Sequence, residues 1–234
     1  VTREDPQNSL AKVEAFVKDW GDKIGFTIAF DDAGKTYEAY MTATGQQGIP
    51  TAFIVDKAGK LAWLGHPMEM DKPLEQVLAG TFDIQKAARE HELRLQTREL
   101  QQSLFKKLVA KDVEGARKEV EKLAELARDN ASTLNDLSWI LLTHPAAKGH
   151  FNQQALAAAT RCHELTKGEN WMFLDTLALA KFETGKQEEA VQLQRQAIEL
   201  AGKANAPEPA IAEFKERLEL FEKGAKKEEA EKKD

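Results

Sequence analysis

The sequence predicts an α/β segment followed by an all-α segment built of antiparallel helix hairpins. Three observations carry this expectation. The first third alternates short apolar runs of strand character with amphipathic helical stretches, whereas everything after about Phe82 reads as helix separated by brief breaks. The β-branched and aromatic run Thr51 to Val55 is followed by a Gly-centred turn and a second apolar run, the pattern of a hairpin. Beyond Leu134 a repeat emerges, in which Leu134, Leu137, Ala155 and Cys162 align with Leu174, Leu177, Ala190 and Ala197.

Each element has a local reason. Leu10, Val13, Phe16, Val17 and Trp20 fall on one helical face, with Asn8 or Ser9 as the N-cap. Gly25 to Phe30 reads as a strand, and Tyr37, Tyr40 and Met41 mark a second short helix ending near Gly45. Thr51 to Val55 is a buried strand, Asp56 to Gly59 a turn, and Lys60 to Leu64 the returning strand. Asp71 with Pro73 opens a helix carrying Leu74, Val77 and Leu78 inward. Residues 1–82 therefore form one segment. Asp83 caps a long helix through about Val109, in which Leu100, Leu104 and Leu108 recur every four residues. Asp112 caps the next, whose stripe is Val113, Ala116, Val120, Leu123, Ala124 and Ala127, so 83–133 closes as a hairpin connector. Residues 134–221 hold the two repeats, the first with a five-residue insertion around His144 to Lys148. Residues 222–234 are nearly all charged and predict a disordered tail.

Composition excludes several classes of function. The 234 residues are 42% hydrophobic, enough for a sizeable core. Thirty-nine acidic and 33 basic side chains, interspersed along most of the chain, leave a net charge of −6, which argues against a nucleic-acid partner. No apolar run approaches the roughly 18–20 residues that span a bilayer, so membrane insertion is not expected. No basic start followed by an apolar stretch resembles a signal peptide. The one cysteine, Cys162, cannot form an internal disulfide. The sequence opens on Val, the expectation being a processed product or part of something longer.

The most informative segment is Tyr40-Met-Thr-Ala-Thr-Gly45-Gln-Gln-Gly48-Ile49-Pro50-Thr51-Ala-Phe53-Ile54-Val55-Asp56-Lys-Ala-Gly59-Lys60-Leu61. It resembles the second half of a redoxin domain (TlpA or peroxiredoxin-like) of the thioredoxin-like superfamily. In that family the helix ends in Tyr-Gly-Val, a Gly-Ile-Pro-Thr loop holds a cis-proline, and the strand runs Phe-Ile-Asp into a Gly-centred turn; here Gln46 replaces the usual Val. The resemblance covers roughly Val1 to Gly80 and implies an incomplete thioredoxin-like fold. Proline suits the loop because an X-Pro amide is held cis at far lower cost than any other peptide bond. By resemblance, Ile49, Pro50 and Thr51 are the positions that pair with an extended substrate chain.

The same family carries Cys-X-X-Cys at a helix N-terminus, where the dipole makes the thiolate available. That motif is not in these residues. Val1-Thr2, before the Arg-Glu-Asp-Pro turn, matches the end of the strand that follows the dithiol helix. The expectation is thus a missing upstream unit of about 30 or more residues, with Cys-X-X-Cys about 40 positions before Val1. The resemblance implies thiol–disulfide exchange in the intact form: one thiolate attacks a substrate disulfide, the second resolves the mixed disulfide, and Pro50 aligns the substrate backbone. It also implies a periplasmic or otherwise extracytoplasmic location and no cofactor. A non-catalytic scaffold, and a peroxidase with one upstream cysteine in Thr-X-X-Cys, stand as alternatives.

Trp171 to Ala204 spans 34 residues and resembles a tetratricopeptide repeat, with Leu174, Leu177-Ala178, Gly185, Ala190 and Ala197 at matching positions. The copy from Leu134 is weaker and the 83–129 hairpin more degenerate still. Such arrays form a concave face from the first helix of each pair. By resemblance, Asn135, Trp139, Asp175, Leu179 and Phe182 point toward a protein or peptide partner, unless the repeats merely brace the redoxin-like segment.

Other candidates have plainer readings. Cys162 sits where the repeat wants a small apolar residue, so a buried inert thiol is expected. His66, Met68 and Met70 offer soft ligands for copper, but nothing beyond their proximity supports it, and no metal is expected. His91, His144, His150 and His163 show no ligand spacing on a shared helix face, and Glu119, Glu121 and Glu125 read as a solvated face paired with lysines.

Overall fold

The computed structural model describes residues 2–3, 8–31 and 33–231, the first two and 227–231 by backbone alone. Most of the turn expected at Arg3 to Pro6, and the last three residues of the charged tail, lie outside them. The chain is mostly helical, with helix hairpins and a small antiparallel two-stranded sheet. It divides into two units, Val1–Leu95 and Gln96–Asp234. The division falls inside the helix that runs from Ile84 to Val109.

In the first unit, β1 (Thr2–Arg3) pairs in parallel with β2 (Phe30–Asp31). Between them runs α1 (Leu10–Trp20), capped by the Ser9 side chain, which accepts the Lys12 N–H. Among the described residues the strand expected from Gly25 is ladder-bonded at Phe30 and Asp31, and Phe26 is left 76% exposed. The apolar stripe of α1 has the expected spacing, yet none of its residues is buried and Trp20 is half exposed, its ring tilted against Phe16 at 5.4 Å. A short α2 (Lys35–Tyr37) widens into a π-type turn over Glu38–Thr42.

The antiparallel pair β3 (Ala52–Val55) and β4 (Leu61–Gly65) is in register Phe53 with Leu64 and Ile54 with Trp63, and a bulge beside Val55 shifts it to Leu61. Asp56 closes the turn: its carboxylate accepts the N–H groups of Ala58 (2.9 Å) and Lys60 (2.8 Å), while Gly59 supplies φ +75°. Next comes α3 (Asp71–Ala79), ended by Gly80 in the left-handed conformation. Leu74 and Val77 are half-buried as expected, but Leu78, on the same face at i+4 from Leu74, is left 66% exposed.

The second unit stacks hairpins. The helix α4 (Ile84–Val109) begins at Asp83, whose carboxylate accepts the Lys86 N–H at 2.8 Å, and buries Leu104 and Leu108. Asp112 caps α5 (Val113–Leu126) through the Gly115 N–H at 2.9 Å. Then follow α6 (Ala131–Thr143), α7 (Asn152–Thr166), α8 (Trp171–Glu183), α9 (Gln187–Lys203) and α10 (Glu208–Glu231). Asn130 and Asn170 hold equivalent places in the two repeats, each accepting backbone N–H groups of its helix's first turn. All eight repeat positions are buried: Leu134, Leu137, Ala155 and Cys162 in one copy, Leu174, Leu177, Ala190 and Ala197 in the other. The alanines let helices pair closely while each leucine contributes about 1.5–3 kcal/mol by leaving water. The insertion is pinned by Ala147 and Phe151, both fully buried, with the Arg117 guanidinium 5.4 Å from the Phe151 ring centre.

The charged tail read as disordered is instead the end of α10, helical through Glu231. Its composition cannot nucleate order alone, but Phe214 and Phe221 anchor the helix, and Ala, Lys and Glu extend it at little cost.

Candidate functional site

Two places gather the residues that sequence reasoning selected. The first is the loop between α2 and β3. Asp31, 7% exposed, accepts the N–H groups of Thr36 (3.2 Å) and Tyr37 (2.9 Å), fastening the end of β2 to the start of α2. The bond from Tyr37 holds the Asp31 carboxyl below its usual pKa against the opposing effect of burial. Tyr40 meets Phe53 edge to face at 5.2 Å, so the helical turn lies on the hairpin. Gly45 has φ +66°, and a Cβ there would lie 2.7 Å from a Leu95 methyl. His91 Nε2 is 3.0 Å from the Thr44 carbonyl oxygen. At the loop's tip the Ile49–Pro50 peptide is cis, Ile49 is 86% exposed, and the Thr51 hydroxyl donates to the Gly48 carbonyl at 2.7 Å. Ile49, Pro50 and Thr51 thus lie together on an outward-facing turn at the entry to β3.

No thiol stands near them within this unit. Cys162 belongs to α7, is 1% exposed, and is packed with Ala127, Leu134 and Ala158. Burial pushes its pKa up to about 11, the opposite of what a nucleophile needs. Nor do the other soft ligands assemble. His66 Nδ1 accepts the Met68 N–H, serving as a cap for the turn Pro67–Glu69, and Met68 is 87% exposed. Among the described residues no group of three or more His, Cys, Asp or Glu is placed to hold a metal ion, and no helix is long and apolar enough to cross a membrane. Glu121 and Glu125 are solvated, whereas Glu119 is half-buried in the open groove between α4 and α5, 3.9 Å from Lys122.

The second place is the face shared by α6 and α8. Of the five residues expected there to await a partner, three already have one in α10. Asp175, 3% exposed, is ion-paired with Arg217, and its Oδ1 also accepts from Gln194 Nε2 at 2.6 Å. The same Gln194 amide donates to the Phe214 carbonyl at 3.1 Å. The Arg217 guanidinium lies 5.1 Å from the Trp139 ring centre, and the Phe182 ring is stacked on Phe221 at 4.6 Å. Leu179 is half-buried between two apolar clusters, and Asn135 keeps Oδ1 buried with no hydrogen-bond donor among the described residues. Burial raises the Asp175 pKa, an effect opposed by Arg217 and Gln194.

Sequence reasoning missed Arg217, Gln194, Phe214 and Phe221. The signal was available: Phe214, Arg217 and Phe221 stand at helical spacing on one face. So was Gly224, an odd choice inside a helix until its backbone is seen against Phe182, where a Cβ would come within 2.6 Å of the ring. No protein-family model matches this sequence, and no curated protein is significantly similar to it.

Proposed function

We propose that the first unit is the carboxy-terminal part of a redoxin-type, thioredoxin-like domain, that its intact form exchanges thiols and disulfides outside the cytoplasm, and that the helical hairpins are tetratricopeptide-like repeats holding a protein partner. One observation carries the reading: a parallel pair joined by a helix, then the Gly48-Ile49-Pro50-Thr51 loop opening an antiparallel hairpin, then a closing helix, in the order the resemblance implies. Ile49 to Thr51 is where an extended substrate lies, and the dithiol is supplied from outside these residues. A second reading, a non-catalytic scaffold of the same two parts, is favoured by the state of Cys162, buried and with its thiol pKa pushed up to about 11.

Mass measurement, N-terminal sequencing and thiol counting on the natural protein separate the two. Two reactive thiols besides Cys162, with disulfide-reducing activity that falls when Pro50 is replaced by Ala, are expected. A natural protein whose only thiol is Cys162 would remove dithiol chemistry and leave the scaffold.

A further inference from the structure

We propose that α10 occupies in cis the surface on which the hairpins receive their partner, and that this partner is an amphipathic helix presenting an arginine between two aromatic residues, in the spacing of Phe214, Arg217 and Phe221. The inference rests on the reading of the hairpins as partner-binding repeats and names the chemistry they select. A carboxylate in the middle of α8, 3% exposed, costs heavily unless a cation meets it, and a core position asking only for packing is better filled by Leu or Ala. Asp175 therefore makes the surface selective for a guanidinium. Trp139 adds a ring face for that same group, and Phe182 a flat apolar seat for an aromatic side chain.

The way α10 is held agrees with a strap. Its backbone packs chiefly on α9, and it engages α8 through the side chains of Phe214, Arg217 and Phe221 and α6 through Arg217 on Trp139. It is tethered through the short turn at Asn205 (φ +51°) and Pro207. A tether this short gives α10 an effective concentration of order millimolar or above, so a helix in trans sees only the small fraction of molecules whose strap is open.

The probe is a fluorescent peptide of residues 208–226, titrated by anisotropy against the full chain. Wild type is expected to bind weakly. Arg217→Glu in the chain sets like charges against each other at Asp175, releases the strap and leaves the receiving surface intact; the peptide then binds roughly a hundredfold tighter. Phe221→Ala loosens the strap without a charge change and gives a gain in the same direction. Asp175→Asn placed in the Arg217→Glu chain weakens the peptide again, and a peptide carrying Arg217→Glu does not bind the released chain.

Failure of the peptide to bind either loosened chain overturns the proposal, as does binding indifferent to Asp175. Loss in both variants of far-UV helicity beyond that of α10 also overturns it, since α10 would then be core rather than strap. Absence of thiol exchange in the natural protein leaves these titrations unmoved, so the redoxin reading and this one fail separately. A natural partner that binds wild-type and Arg217→Glu chains equally would keep the repeats as a binding element while sinking the strap.

Discussion

Phe221→Ala tests the architecture of the second unit most directly. The side chain is fully buried, stacked on Phe182 and packed with Ala178, Ala190 and Val191. Removing its ring forfeits about 2–3 kcal/mol of transfer free energy. The cavity left between α8, α9 and α10 brings the total to about 3–5 kcal/mol. The site cannot easily collapse, because Gly224 already lies against the Phe182 ring. For a cooperative unit of this size each kcal/mol moves Tm by about 3–4 °C, so the melting temperature falls by about 10–20 °C. Circular dichroism on wild-type and variant chains reads it, with Leu220→Ala as the control: Leu220 is the adjacent residue on the same helix, 54% exposed, and its loss costs about 0.5 kcal/mol or less. A variant within about 3 °C of wild type would show that α10 is not docked on the hairpins through Phe221, and the account of the α6 and α8 face would fall with it.

Three further outcomes follow from other contacts. Asp31 titrates below the ordinary aspartate range in the native state, held down by the Tyr37 and Thr36 N–H groups. The unfolded chain therefore binds its proton first as pH falls; the stability Asp31 contributes is present above the ordinary aspartate range and is lost as pH drops through that range toward the lower native pKa, so Asp31→Asn flattens the acid limb of a stability–pH profile. Cys162, buried and with its pKa pushed up to about 11, reacts with a thiol reagent only as fast as the second unit opens, and fully in denaturant; rapid labelling of the native chain would contradict its place beneath α6. Asn170→Ala removes the side-chain acceptor for the Met172 and Phe173 N–H groups and costs about 1 kcal/mol by denaturant titration, whereas Asn170→Asp costs little.

Much of this was legible from residues alone, and the reasons differ by element. Ser9, Asp83 and Asp112 act within three residues of themselves, so a cap can be read without knowing anything distant. The leucine spacing in α4 and the paired positions of the two repeats follow from helical geometry, which is also local. Leu78 and the α1 stripe show the limit: periodicity says which residues share a face, not whether a neighbour arrives to cover it.

For the candidate sites the division is sharper. The sequence by itself determined that a strand follows Pro50, that Cys162 takes a small apolar position, and that the second half of the chain is paired helices, because strand and helical periodicity act over a few residues, whereas the loop of Ile49, Pro50 and Thr51 came from the family resemblance. Only the tertiary structure decided what meets Asp175, Trp139 and Phe182. Their partners Arg217 and Phe221 lie about forty positions along the chain from Asp175 and Phe182, respectively, and Arg217 lies further still from Trp139, and no local rule links residues so far apart. Burial of a carboxylate demands a cation, but which cation answers is set by how α10 folds back on α9.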